Sequence, residues 1–367
     1  MMASSNYKSK VEQAINNSRK DLIDLTIERK KSNPPTQASS EFLTNKKQGD
    51  WAEKTFINAF NSCTERYVAV KYGLDNELVA GDEGFDDFYK KYQDDLDLIG
   101  KKPDILILPK RYYEESWNYN ISYFEEEALE HIVSHSICGI EVRSSSFLHE
   151  VYESYSEEKT LLSISRLLSI KDEIINNYSD TLIERNPELF AMINNLDLDD
   201  LSISFRTPSW KKTASERRLC KLLKKLNFEI RELKKRDFLS ITPKVEDLRV
   251  VYNWVKKYNK PHYYIQVFFD VAFGIGYLDI LEMISEDQIE NARYFIERDT
   301  KNQNKTTIKI STRECKKVMQ NINIPNHFSV SKEIGSRGRL LFHVDFDASE
   351  GDIIRNNLSQ LLGISDL

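Results

Sequence analysis

The sequence predicts an α/β fold interrupted by a helical insertion, and three observations carry that prediction. Short apolar runs bounded by turn residues recur at 103–109, 137–143 and 262–269. Between and around them lie segments with apolar residues every three to four positions, at 50–60 and 245–258. A leucine-rich stretch of the same period, 150–236, separates the second apolar run from the third. Runs of four to eight apolar residues suit strands buried on both faces, whereas the three-to-four spacing suits helices with one buried stripe.

Taken in order, the first 40 residues are polar, and Lys31-Ser-Asn-Pro-Pro-Thr-Gln-Ala-Ser-Ser40 has the composition of a linker, so 1–40 is expected as an N-terminal arm. In Asp50 to Phe60 the residues Ala52, Phe56, Ala59 and Phe60 share one helical face, with Glu53 beside it. Pro103-Asp-Ile-Leu-Ile-Leu-Pro109 and Ile137-Cys-Gly-Ile-Glu-Val-Arg143 read as strands, and 110–134 as a helical excursion or a long loop. Residues 150–236 are expected as a helical insertion. Phe238-Leu-Ser-Ile-Thr242 then reads as a strand, and Val245–Tyr258 as a helix opened by Pro243 with Glu246 and Asp247 in its first turn. His262 to Phe269 is aromatic and β-branched, hence a strand; 306–310 and 339–345 look like added strands, and 352–362 like a closing helix. The core is therefore expected in 41–149 and 237–367.

Composition limits the function. The 367 residues include 40 % hydrophobic and 11 % aromatic side chains, enough apolar surface for a real core. No stretch reaches the roughly 18 consecutive apolar residues of a membrane span, and Met1 to Lys10 lacks an apolar signal region, so a cytoplasmic protein is expected. Cys63, Cys138, Cys220 and Cys315 are far apart, which disfavours a disulfide framework. The net charge is −6, yet 206–236 carries twelve Lys/Arg against three Glu, a net of +9. By contrast, Asp75 to Asp97 holds nine carboxylates and two lysines, so the charge is polarised.

Two carboxylates interrupt the apolar strands, Asp104 at the entry of one and Glu141 within another. Side chains alternate along a strand, so Glu141 and Arg143 face one way while Ile140 and Val142 face the other. If the two strands pair, Asp104 and Glu141 converge. Two oxygen ligands with positions left for water and phosphate suit Mg²⁺, which polarises a phosphate and acidifies a water. The bland alternative is a turn-capping Asp104 and a Glu141 ion-paired with Arg143 or another cation.

Pro103-Asp104 followed by Glu141-Val142-Arg143, between a helix bearing Glu53 and a later helix and strand, resembles the PD-(D/E)xK nuclease superfamily. The phrases Gly49-Asp-Trp-Ala-Glu53, Glu141-Val-Arg-Ser-Ser-Ser-Phe147, Thr242-Pro-Lys-Val-Glu-Asp247 and Tyr263-Tyr-Ile-Gln-Val-Phe-Phe-Asp270 are similar to the branch typified by the type II restriction enzyme AccI. The resemblance covers about residues 45 to 275. It implies a PD-(D/E)xK restriction-endonuclease-like core with a mixed β-sheet flanked by helices, a divalent metal, and a homodimer that cuts double-stranded DNA at a short specific sequence. The family lysine is replaced by Arg143, which could neutralise phosphate but hardly act as a base. Lys244, in the first turn of a helix where a cation opposes the dipole, is the natural substitute or else a plain surface lysine. Glu53 is either a further metal or water ligand or a solvated helix residue.

The basic segment is expected to grip DNA through Arg206, Lys211, Lys212, Arg217 and Arg218, with Ser144 and Ser145 as further phosphate contacts; its alternative is a solvated helix face. His131, His135 and Cys138 have zinc-like spacing, but no fourth ligand is nearby. Two other functions compete: a repair or modification-dependent nuclease on the same fold, and a catalytically silent sequence-specific DNA-binding protein, which Arg143 makes plausible.

Overall fold

A computed structural model describes residues 6–74, 78–198, 203–235, 237–286, 293–299, 305–335, 338–365 and 367. Asp75 and Glu77 of the acidic stretch and Arg236 of the basic one lie outside the described residues. The chain divides into two compact units, 1–149 with 240–367, and 150–239.

The first unit begins with α1 (Tyr7–Asn17), α2 (Ser40–Cys63), β1 (Tyr67–Lys71), α3 (Phe85–Leu98), β2 (Ile105–Pro109), α4 (Glu126–His135) and β3 (Cys138–Ser144). The chain then passes through α5 (His149–Arg185), α6 (Pro187–Asn194) and α7 (Ala214–Leu233). It returns with β4 (Ser240–Ile241), α8 (Val245–Tyr258), β5 (His262–Val267), β6 (Ala272–Gly276) and α9 (Tyr277–Glu286). The C-terminal part adds β7 (Tyr294–Asp299), β8 (Lys305–Ser311), β9 (Lys316–Gln320), β10 (His327–Ile334), β11 (Arg339–Phe346), β12 (Asp352–Ile353) and α10 (Arg355–Leu362).

Seven strands form the central sheet in the order β1-β2-β3-β5-β6-β9-β12. Among the described residues β3 and β5 alone pair in parallel in this sheet, with Gly139 opposite His262, and its other pairings are antiparallel, so the sheet is mixed. One face is covered by α2, whose Trp51, Ala52, Phe56, Ala59 and Phe60 meet Ile140, Val142 and Ile265, with Leu358, Leu361 and Leu362 of α10 in the same core. Each such large side chain contributes about 1.5–3 kcal/mol on burial. Because strand residues alternate, Glu141 and Arg143 point to the opposite face, where Trp254 of α8 and Tyr277 of α9 pack around His262.

Several expectations need correction. The first 40 residues are not all arm: Val11, Ala14 and Ile15, spaced three and one apart, bury one side of α1. Segment 110–134, by contrast, takes one of its two expected forms, a helical excursion in which two short 3-10 turns lead into α4. The strand expected at 238–242 shrinks to the two residues of β4, which pair with β8 in a separate three-stranded sheet. Among the described residues no helix is long and apolar enough to cross a membrane.

The second unit, by itself, is a helical layer. Leu219, Leu222, Leu223, Leu226 and Ile230 of α7 pack with Leu167, Ile174, Tyr178 and Leu182 of α5 and Leu189 and Ile193 of α6. Thr213 and Glu216 close a capping box at the start of α7, and Arg185 bonds Glu216 at 2.8 Å. The stripe that faces inward leaves Arg217, Arg218, Lys221, Lys224 and Lys225 exposed on the other side.

Candidate active site

Asp104 immediately precedes β2, and β2 runs antiparallel to β3 with Ile105 opposite Ile140. One step further along this register sets Asp104 against Glu141. Three backbone contacts fix the aspartate: Tyr72 and Gly73 donate their N–H groups to its carbonyl oxygen at 2.8 and 3.0 Å, and Val142 N donates to Oδ2 at 2.7 Å. Gly73 lets the two backbones approach closely, since a Cβ there would lie 3.0 Å from the Asp104 Cα.

Glu141 is 2 % exposed and charged, so it needs counterions. Lys101 Nζ stands 2.5 Å from its Oε1, and Arg143 Nη2 lies 3.1 Å from the same oxygen. The same two cations reach Oδ2 of Asp247, at 2.8 and 3.0 Å. Oε2 of Glu141 is buried and has no hydrogen-bond partner. Burial alone would raise the Glu141 pKa, but Lys101 and Arg143 hold it below the ordinary carboxylate range. Asp247, between the same two cations, is likewise held low.

Asp104 behaves in the opposite way. Burial, followed by the charges of Glu141 and Glu53, raises its pKa well above the ordinary value. Glu53, on α2, is pushed up to about 7, chiefly by burial, against the opposing charge of Lys71 whose Nζ is 3.6 Å away. Buried carboxylates crowded together favour a cation that offsets their desolvation and mutual repulsion. All three are hard oxygen donors, and the orphaned Glu141 Oε2 adds an unused one. The residues therefore fit a divalent cation. Among the described residues no group of three or more His, Cys, Asp or Glu side chains is placed to hold a metal ion, so the fit rests on the pair Asp104 and Glu141 with water and phosphate oxygens completing the shell.

Lys101 and Asp247 were not among the residues singled out from the sequence. Lys101 arrives through Gly100, whose φ of +94° and backbone approach to α8, where a Cβ would sit 2.3 Å from Trp254 N, exclude any side chain. Lys101 N then donates to Val250 O at 2.8 Å, which turns its side chain towards β3. The available signal was the pair Lys101-Lys102 directly ahead of Pro103-Asp104. Lys244 is the N-cap residue of α8, one position before the first turn; it bridges Thr307 through its backbone, and its charge acts on Asp247.

Ser144 and Ser145 are half-buried at the exit of β3. Gln48 of α2, with its amide turned to satisfy both ends, accepts from the Ser145 and Ser146 N–H groups at 3.2 and 3.1 Å. Arg206, Lys211 and Lys212 lie exposed on the irregular segment before α7; Arg217 donates to Lys211 O, and Arg218 pairs with Glu173. The zinc-like trio is not a site: His135 bonds the His131 carbonyl within α4, while Cys138 is fully buried, which raises its thiol pKa strongly.

The sequence matches the model of the AccI restriction endonuclease family over residues 5–367. The chain belongs to that family. This AccI-family protein is a type II restriction endonuclease, a hydrolase of phosphodiester bonds in double-stranded DNA at a specific sequence. Enzymes of the family typically work with a divalent metal. No curated protein and no solved structure matches the AccI-family chain.

Proposed function

We propose that the AccI-family endonuclease cuts DNA at the cluster formed by Asp104, Glu141, Glu53, Lys101, Arg143 and Asp247, and that β1, β2, β3 and β5 with α2 constitute its PD-(D/E)xK core. The observation that carries this is the pairing of two unlike carboxylates. Asp104 is pinned by backbone and strongly proton-binding, while Glu141 is held ionised and has one buried oxygen left over. Asp104 and Glu141 would hold Mg²⁺, with Glu53 within electrostatic reach as a further ligand or a holder of water. The bound ion supplies positive charge to the scissile phosphate and acidifies water.

The chain's own groups do the rest. Arg143 keeps its proton, so it neutralises phosphate charge and does not serve as a base. Lys101 brings an ammonium to the same carboxylate from the loop before β2, and is better placed at Glu141 than Lys244, which sits at the start of α8. The exposed basic face of α7, with Arg206, Lys211 and Lys212 ahead of it, suits phosphate contact, and residues 150–239 would act as a DNA-gripping insertion. Cutting both strands with one such cluster per chain favours a homodimer, which light scattering of the purified protein would test.

The decisive test is plasmid cleavage in Mg²⁺ by Asp104→Ala and Glu141→Ala. Both are expected to lose cleavage by about a thousandfold or more while still binding DNA in Ca²⁺. Parental rates in either variant would refute the assignment.

A further inference from the structure

Asp247 stands out in this cluster because it is a half-buried carboxylate whose contacts go to cations and not to the proposed metal. It projects from the first turn of α8, where the helix dipole favours a negative charge. Its Oδ2 takes Lys101 and Arg143, the same pair that converges on Glu141 Oε1. Two anions and two cations thus alternate in a closed, neutral ring.

Without Asp247, two positive charges would oppose one carboxylate, leaving a net positive charge at the oxygens a divalent cation needs. With it, each cation has a second carboxylate partner on one side of Glu141, and Oε2 stays unclaimed. We infer that Asp247 is a positioning residue that neutralises the second of the two cations and holds both on Oε1, keeping the rest of Glu141 open to a divalent cation. The inference rests on the proposed metal role of Asp104 and Glu141. It also accounts for an arginine and a lysine being tolerated beside a metal ligand.

The test is a Mg²⁺ titration without DNA, read as the midpoint of the Mg²⁺-induced rise in Tm of the full chain. Asp247→Asn keeps the shape and removes the charge, and should raise that midpoint about tenfold or more. The double variant Asp247→Asn with Lys101→Met restores neutrality and should return to within about threefold of the parent. A purely structural Asp247 would leave the double variant no better than the single one. Should Asp247→Asn fail to fold, Lys101→Met alone decides, because removing one cation while Asp247 remains should lower the midpoint. An unchanged midpoint in Asp247→Asn, a double variant as weak as the single, or an unchanged or higher midpoint in Lys101→Met overturns the inference. Asp104→Ala and Glu141→Ala, run alongside, test the underlying reading separately: if they keep the Mg²⁺ response, the metal assignment itself is wrong.

Discussion

Two residues with displaced pKa values, His262 and Glu53, pull the stability of the metal-free protein in opposite directions as pH changes. His262, enclosed by the rings of Trp254, Tyr264 and Tyr277, has both ring nitrogens without a hydrogen-bond partner, and burial depresses its pKa to about 4. The unfolded chain takes up this proton first, at its ordinary pKa near 6.5. Stability that is complete above that value is therefore lost as pH falls towards 4, by on the order of 3 kcal/mol. Glu53 works the other way. Its pKa of about 7 lies above the ordinary 4.5, so its contribution is complete below the ordinary value and is lost as pH rises through 7. Urea denaturation should show His262→Phe to be more stable than the parent at pH 5 and little different at pH 7.5. Glu53→Gln should gain at pH 7.5 and not at pH 5. Adding Mg²⁺ should stabilise the parent more at pH 8 than at pH 6, because the ion displaces protons from Asp104 and Glu53. A Mg²⁺ effect independent of pH would contradict the proton-holding account of these carboxylates.

Between residue and domain, the short connection Gly100–Pro103 sets the geometry of the cluster. Alanine at position 100 would meet both a positive φ and the backbone of α8. Gly100→Ala is expected to cost about 2 kcal/mol or more in stability and to lower cleavage beyond what its Tm explains, since Lys101 moves with it. A variant with parental Tm and rate would refute that coupling. The same connection shows what could be read in advance. The helix around Phe56 and Phe60, the strands of 103–109 and 137–143, and the pair Asp104 and Glu141 were legible because periodicity and isolated charge in apolar runs are local signals. Lys101 and Asp247 were not: one sits in a loop of turn-forming composition, and the other reads as an ordinary acidic residue of a helix start. Only the crossing of α8 under Gly100 brings them together, and a crossing is not local. Likewise β6 and α9 escaped notice, since Ala272-Phe-Gly-Ile-Gly276 is glycine-rich for a strand. The helix α1 was hidden by the linker-like composition that follows it.

For the whole molecule, an acidic chain that acts on DNA must confine its positive charge. The exposed side of α7 concentrates it within residues 150–239. Replacing Lys221, Lys224 and Lys225 together by Gln should weaken DNA binding in Ca²⁺ and make the salt dependence shallower by up to about three units of slope. An unchanged slope would mean that this face does not meet phosphate. Thermal stability should be unaffected, as these side chains point away from the core of their own helical layer.

The single parallel pairing in the sheet also imposes an order in time. Glu141 lies on β3, whose partner β5 follows more than a hundred residues later, with Asp247 also beyond the helical layer. At typical rates of synthesis the edge of β3 therefore stays unpaired for at least roughly 5–18 s while residues 150–239 are made. Throughout that interval the chain holds Asp104 and Glu141 but lacks Asp247 to balance Lys101 and Arg143. On the proposed assignment a nascent endonuclease stays unarmed until α8 and β5 arrive. Ribosome-bound chains stalled before and after residue 267 should differ in Mg²⁺-dependent protection from proteolysis; equal protection would show that the site assembles without β5.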